Sequence, residues 1–256
     1  MLTIENVTKS FGGLSAVCGV SLQLGKTPIT GLVGPNGSGK TTLFHMITGF
    51  YSVDKGRVFL EDREITNLKP HLISRMGLLR TFQHTRVLPF LSTLENLIAA
   101  APLQRGESLV QLFLRPGAVR KDERKNAQKA REVLDTIKLQ PLAGELAGRL
   151  SYGQQRLLEL GRILMADPRV IMLDEPTAGI NPSLVRDLVR VIRGLTGVGI
   201  QVFLIEHNMP LVMELCDRVL VMDAGGLIFE GSPHEAVKDK AVIEAYLGKA
   251  RDASKS

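Results

Sequence analysis

The chain has 256 residues, 44% of them hydrophobic and 23% charged, which is enough to bury a full core and too apolar for an intrinsically disordered chain. Its formal net charge of +6 permits contact with nucleic acid, phosphates or an anionic membrane face, and selects none of them. Two cysteines far apart in sequence, Cys18 and Cys216, argue against a disulfide framework or a zinc site, and no apolar stretch approaches the ~20 residues that cross a bilayer. Met1-Leu2-Thr3-Ile4-Glu5 does not read as a signal peptide, so a soluble, cytosolic chain is expected.

Residues 2–24 alternate loosely between apolar and polar, which predicts strands joined by a loop that carries Phe11. An aromatic on a loop is ordinarily a packing residue. The stretch that follows makes stacking on a nucleobase a reasonable second role. Ile29–Val33 is an apolar run, Gly34-Pro35-Asn36-Gly37-Ser38-Gly39-Lys40-Thr41 fits G-x-x-x-x-G-K-[ST] at every fixed position, and residues 42–47 read as a helix. Strand, loop and helix in that order make a phosphate site. Glycines let the backbone turn tightly so that several N–H groups point at one anion, and the helix adds the positive end of its dipole. Lys40 would reach the β and γ phosphates, and the Thr41 hydroxyl is placed to hold Mg²⁺.

Further along, residues 58–60 form a short predicted strand, and 78–82 are an apolar run ending at Gln83-His84. Ser92-Thr93-Leu94-Glu95 has capping-box spacing before a helix. Residues 109–114 are a compact apolar cluster, read as a small helical core, and a helix is expected over 119–138 with its lysines and arginines opposite an apolar stripe. That basic run has no aromatic for base stacking and reads as a solvated face. Ser151-Tyr152-Gly153-Gln154 repeats the capping spacing, and an amphipathic helix continues to about Ala166. Residues 170–173 are a β-favouring run closed by Asp174-Glu175-Pro176, which suits a strand buried on both faces. Asn181-Pro182 opens another helix, 200–205 is a strand ending at Glu206-His207-Asn208, 209–215 is a short helix, and 219–229 reads as a hairpin. Ser232 caps a further helix, and 241–247 is the last apolar segment before a polar tail at 251–256. Strands alternating with helices imply an α/β core with a parallel sheet.

Ligands of open α/β sheets sit beyond the carboxyl ends of the strands, and three such ends carry polar groups: Gln83, Asp174-Glu175 and His207. Asp174 would assist Mg²⁺ while Glu175 orients or deprotonates an attacking water. His207 could donate to the γ-phosphate, and Gln83 offers an oxygen to the metal and an amide to the water. Each means little alone; together with the phosphate loop they indicate catalysis.

The order Phe11, Gly34 to Thr41, Gln83, Leu150-Ser151-Tyr152-Gly153-Gln154, Asp174-Glu175 and His207 resembles the ATPase subunit of ATP-binding cassette (ABC) transporters over nearly the whole chain. The resemblance implies a P-loop NTPase (RecA-like) parallel-sheet core with an N-terminal antiparallel β subdomain and an α-helical subdomain inserted at about 86–166, within one domain over 1–250. It implies ATP and Mg²⁺ as ligands. Phe11, Val17, Gly34, Pro35, Asn36, Gly37, Ser38, Gly39, Lys40, Thr41, Thr42, Ser151, Gly153 and Gln154 would hold nucleotide, Thr41, Gln83 and Asp174 the metal, and Glu175, His207 and Gln83 would serve catalysis. Tyr152 stands where the family usually has glycine, and Asn181 where an aspartate is common. Phe11-Gly12-Gly13-Leu14, Thr81-Phe82-Gln83-His84, Ala178-Gly179-Ile180-Asn181-Pro182 and Glu206-His207-Asn208-Met209 resemble the branched-chain amino-acid importer's ATPase subunit, with a urea or amide importer as the close competitor.

That family implies a dimer sandwiching two ATP molecules, each between the phosphate loop of one subunit and the signature, Leu150-Ser151-Tyr152-Gly153-Gln154 here, of the other. A heterodimer with a related cassette, contact with transmembrane permease subunits, indirect dependence on a substrate-binding protein, and a peripheral place on the cytoplasmic face of the plasma membrane follow from the same resemblance. Nucleic acid is not an expected partner: cassettes acting on nucleic acid or ribosomes tend to be fused pairs or to carry a long coiled-coil insertion. A GTP switch would need an Asn-Lys-x-Asp element, which the chain lacks.

Overall fold

Ten strands and a set of helices build this computed structural model, which describes residues 1–25, 27–81, 87–102 and 116–253. In chain order they are β1 (Leu2–Phe11), β2 (Leu14–Gln23), β3 (Ile29–Val33), β4 (Lys55–Leu60), β5 (Arg63–Glu64), β6 (Leu78–Arg80), β7 (Val170–Asp174), β8 (Gln201–Ile205), β9 (Arg218–Asp223) and β10 (Gly226–Gly231). The chain divides into two compact units: Met1–Arg80, Arg169–Pro176 and Leu195–Ser256 form the first, Thr81–Pro168 and Thr177–Gly194 the second. All ten strands belong to the first.

One sheet is antiparallel, in the order β2-β1-β4-β5; the other runs β10-β9-β3-β8-β7-β6, parallel except for the β9–β10 hairpin. Every residue of β3 and β7 is buried, as their unbroken apolar sequences require of strands covered on both faces. The strand order decides the site. β8 lies between β3 and β7, so the carboxyl ends that carry the phosphate loop, Asp174-Glu175 and His207 are consecutive along one edge. The helix after the loop, α1 (Lys40–Ile47), packs on this sheet, with the rings of Phe44 and Phe203 4.8 Å apart in a core shared with Leu32, Met172 and Met222. A short α2 (Pro70–Arg75) leads into β6.

The second unit is helical: α3 (Thr93–Ala99), α4 (Pro116–Thr136), α5 (Tyr152–Leu164) and most of α6 (Pro182–Gly197). The capping boxes expected at Ser92 and Ser151 are both formed. Gly161 of α5 lets α3 and α4 approach closely: a Cβ there would lie 2.7 Å from Ile137 Cδ1 and 3.0 Å from Leu97 Cδ2. In the first unit, α7 (Met209–Leu215), α8 (Pro233–Ala236) and α9 (Lys240–Ala253) complete the chain. Among the described residues no helix is long and apolar enough to cross a membrane.

Several boundaries differ from the expected ones. The strand expected over 78–82 is described only as Leu78–Arg80, the helix expected over 119–138 runs Pro116–Thr136, and the last apolar segment is part of a helix reaching Ala253. Phe11 is the final residue of β1, paired with Leu14, and not part of the loop. The apolar cluster at 109–114 lies outside the described residues.

Candidate functional site

A cavity of about 480 Å³ opens at the carboxyl edge of β3, β8 and β7. It is lined by Phe11, Leu14, Ser15 and Ala16 of the first hairpin, by Asn36, Gly37, Gly39, Lys40, Thr41 and Thr42, by Glu175 and His207, and by Ala224 and Gly225. Its loop wall has little freedom. Gly34 has φ +146° and a Cβ there would meet the Met222 carbonyl oxygen at 2.1 Å; Gly39 has φ +100° and its Cβ would meet the Ala16 carbonyl oxygen at 2.3 Å. Only glycine satisfies both the backbone angle and the approach. The β9–β10 turn braces the loop from behind, since the Gly225 N–H donates to the Ser38 carbonyl at 3.1 Å and the Cys18 N–H to the Gly225 carbonyl at 2.8 Å.

The Lys40 ammonium is buried and donates to the carbonyls of Gly34 and Pro35, each at 2.9 Å, and to Ser38 Oγ at 3.3 Å. A compact cation with three donors is thereby set inside the loop, at the start of α1. The Thr41 and Thr42 side chains follow in the first turn. This is a donor set for an anion: turned backbone, a lysine and a helix N-terminus.

Opposite the loop stand two titratable groups. Glu175 follows β7 with φ +46°, a left-handed conformation that costs a non-glycine residue roughly 1–2 kcal/mol. Its N–H donates to the Ile205 carbonyl at 3.0 Å, and its Oε1 lies 2.7 Å from His207 Nε2. Both side chains remain more than one-third exposed, within reach of water in the cavity. Asp174, the neighbouring carboxylate, is buried and paired with the Arg80 guanidinium, Nη2 to Oδ2 at 2.5 Å. Nearby, burial and then the Arg80 charge push the His45 imidazole below the usual histidine range.

Phe11 is 44% exposed, and its ring is fixed from two sides: the Tyr51 ring meets it edge-on at 5.3 Å and the Lys9 ammonium lies 5.5 Å from its centroid. Lys9 is itself tied to Asp54 at 2.7 Å, a hydrogen bond that, with the Ser10 N–H, holds the Asp54 carboxyl below the usual carboxylate range. Val17 does not join this wall. It is fully buried in the core between the strands, and Leu14, Ser15 and Ala16 present the hairpin to the cavity in its place. Sequence reasoning also missed Ala224 and Gly225, although the Asp223-Ala224-Gly225-Gly226 turn was legible; only the strand order brings that turn to the loop. Gln83 lies outside the described residues.

In the second unit the signature segment forms the N-terminus of α5. Ser151 Oγ accepts from the Gln154 N–H at 3.3 Å, and Gln154 Oε1 accepts from the Ser151 N–H at 2.9 Å. Gly153 packs so closely on the start of α6 that a Cβ would lie 2.6 Å from Leu184 Cδ1 and 3.2 Å from Ile180 Cγ2. Tyr152 has a local explanation. Its hydroxyl accepts from Arg156 Nη2 at 2.9 Å, the same guanidinium lies 5.3 Å from its ring centroid, and the ring lies beside Gly179, whose Cβ would be 3.4 Å away. Arg156 is in turn paired with Glu159 at 3.0 Å, both buried. Asn181 is explained as a cap, its Oδ1 accepting from the Ser183 N–H at 3.1 Å.

Tyr152→Phe keeps the ring and removes one hydrogen bond, and is expected to cost about 1 kcal/mol; Tyr152→Gly removes the ring contacts too and is expected to cost ~2–3 kcal/mol. Urea unfolding followed by circular dichroism checks this, and equal midpoints for all three proteins would show that Tyr152 packs against nothing that matters.

Comparison with known proteins agrees with this geometry. The family described as ABC transporter matches residues 17–178, and the family described as branched-chain amino acid ATP-binding cassette transporter matches residues 227–252. The chain is 39% identical over 251 residues to the high-affinity branched-chain amino acid transport ATP-binding protein BraF of Pseudomonas aeruginosa, with 98% of each chain covered. To the corresponding protein LivG of Escherichia coli K12 it is 38% identical over 251 residues, again with 98% of each covered. Among solved structures, a nucleotide-free ATP-binding cassette from an ABC transporter superposes with TM-score 0.82 at 38% identity, over 96% of this chain and 98% of that one. The ADP conformation of an ATP-binding cassette of an ABC transporter superposes with TM-score 0.81 at 36% identity, over 97% and 98%.

Proposed function

This chain belongs to the ABC transporter family as an ATP-binding cassette, and from that premise we propose that it hydrolyses ATP to drive uptake of branched-chain amino acids through a membrane permease. The observation that carries the reading is one cavity in which the Lys40 loop faces the Glu175–His207 pair. Phe11 offers the base a ring already held in orientation, and the loop from Gly34 to Thr42 receives the phosphates. Glu175 orients and deprotonates the attacking water, and His207, hydrogen-bonded to it, steadies the carboxylate and contacts the terminal phosphate. Mg²⁺, when bound, neutralises charge developing on the phosphates. A hydroxyl from Thr41 and a carboxylate from Asp174 are hard oxygen donors of the kind that would hold that ion.

Ser151, Gly153 and Gln154 meet the nucleotide of a second cassette subunit. A helix N-terminus with a serine cap is a natural phosphate binder, which supports this reading. The working unit is a heterodimer with a related cassette, docked to permease subunits on the cytoplasmic face of the plasma membrane and fed by a substrate-binding protein. Cargo touches other subunits, so uptake of labelled leucine against labelled urea in proteoliposomes containing the whole complex is the test of substrate class; uptake of urea alone would replace the amino-acid assignment.

The shared site has its own test. Away from the complex the chain pairs with a second copy of itself, so isolated Ser151→Arg and Lys40→Ala proteins are each expected to be inactive, and mixing them is expected to recover turnover, because one of the two composite sites then has an intact loop and an intact signature. No recovery on mixing would overturn the arrangement in trans.

A further inference from the structure

Resting on the reading of Asp174 as the metal-assisting carboxylate, we propose that Arg80 is a positioning residue that presets Asp174 for the metal. Arg80 is the third residue of an edge strand, in a run that otherwise reads as apolar. Parallel pairing puts Leu78 beside Val170 and Arg80 beside Met172, so Leu78 and Arg80 share a face of the sheet with Val170, Met172 and Asp174. That face is the one α1 covers: Leu78, Val170 and Met172 all pack in the core with Phe44 and Ile47. A core position therefore holds a guanidinium, with only 7% of its side chain exposed, next to a carboxylate that is 1% exposed.

Burying an arginine and an aspartate together is unfavourable unless the geometry is good, and here three contacts constrain it. Both backbones are strands of one sheet, the guanidinium stacks 5.7 Å from the Phe44 centroid, and Nη2 donates to Oδ2. Phe44 lies in α1, whose first residues are Lys40 and Thr41, so the element that begins at the phosphate loop also holds the ring against which Arg80 rests. The contact is one charge-assisted hydrogen bond from Nη2, and its direction is set by the planar guanidinium resting on Phe44, a constraint the freely rotating point charge of a lysine lacks. Arg80 takes one oxygen of Asp174 and thereby sets where the carboxylate presents itself to an ion carried in with the phosphates. A metal ligand held in place by an outer partner is a common requirement for tight binding, and losing such a partner typically weakens metal binding 10–100-fold.

The test uses Mn²⁺ as the probe, its electron paramagnetic resonance signal reporting free and bound ion in the full-length protein–ADP complex. Arg80→Met is expected to weaken Mn²⁺ binding about 10-fold or more, Arg80→Lys about 3-fold, while ADP affinity in EDTA stays within about twofold of wild type because Lys40 and the loop are intact. A merely structural Arg80 would lower the unfolding temperature and leave Mn²⁺ affinity alone, and that result overturns the proposal. Should Arg80→Met fail to fold, Arg80→Lys keeps the buried charge, and wild-type Mn²⁺ affinity in that variant overturns it equally. Asp174→Asn separates this idea from the reading it rests on. If Asp174→Asn weakens Mn²⁺ and Arg80→Met does not, only the positioning role falls; if Asp174→Asn leaves Mn²⁺ unchanged, both fall. The double variant is expected to bind Mn²⁺ no more weakly than Asp174→Asn alone, since Arg80 acts through that carboxylate.

Discussion

Glu175→Gln is expected to bind ATP with near-normal affinity and to hydrolyse it about 10³-fold more slowly, accumulating as an ATP-bound dimer. The substitution preserves volume, and an amide can still hydrogen-bond His207 across the 2.7 Å gap, so the cavity keeps its shape. What it removes is the ability to take a proton from water. The left-handed backbone at position 175 is also kept, because it is imposed by the strand end and the hydrogen bond to Ile205, not by the side chain. Single-turnover hydrolysis and size-exclusion chromatography with ATP check the two halves separately. Ordinary turnover in this variant would remove Glu175 from its role.

Lys40→Ala acts one step earlier. Each charge-assisted hydrogen bond contributes ~1.5–3 kcal/mol, so losing the ammonium is expected to weaken ATP binding about 10- to 100-fold. The Gly34 and Pro35 carbonyls and Ser38 Oγ lose their shared donor as well, and part of the effect comes from a loop less firmly held. Titration with a fluorescent ATP analogue measures the affinity, and thermal unfolding without nucleotide measures the loop's own contribution. Unaltered nucleotide affinity would count against the loop as the phosphate site. The two variants are expected to differ in kind: Glu175→Gln traps the closed pair and Lys40→Ala never forms it.

Much of this site was legible before any fold was known, for a reason that particular residues make clear. The loop from Gly34 to Thr41 is contiguous, and its glycines answer to backbone angles and contacts that a short motif encodes. The serine caps at Ser92, Ser151 and Ser232 are equally local, each closed by a residue three positions on. What the sequence does not show has the opposite property. The resemblance places Val17 among the residues that hold nucleotide, whereas the pairing of β2 buries it in the core of this structure and leaves Leu14, Ser15 and Ala16 at the cavity. Arg80 lies in a run that reads as apolar, and nothing within the run names its partner, 94 residues away.

An anion loop, adjacent carboxylates at one strand end, a histidine at another, and helices with their caps can all be read along the chain. Which of these meet depends on the fold. Placing β8 between β3 and β7 brings Lys40, Glu175 and His207 to one cavity, and the parallel register of β6 on β7 puts Arg80 against Asp174. Local patterns follow from torsions and neighbours along the chain, whereas strand order and register are set by which apolar faces bury best against one another, a choice the whole chain makes together.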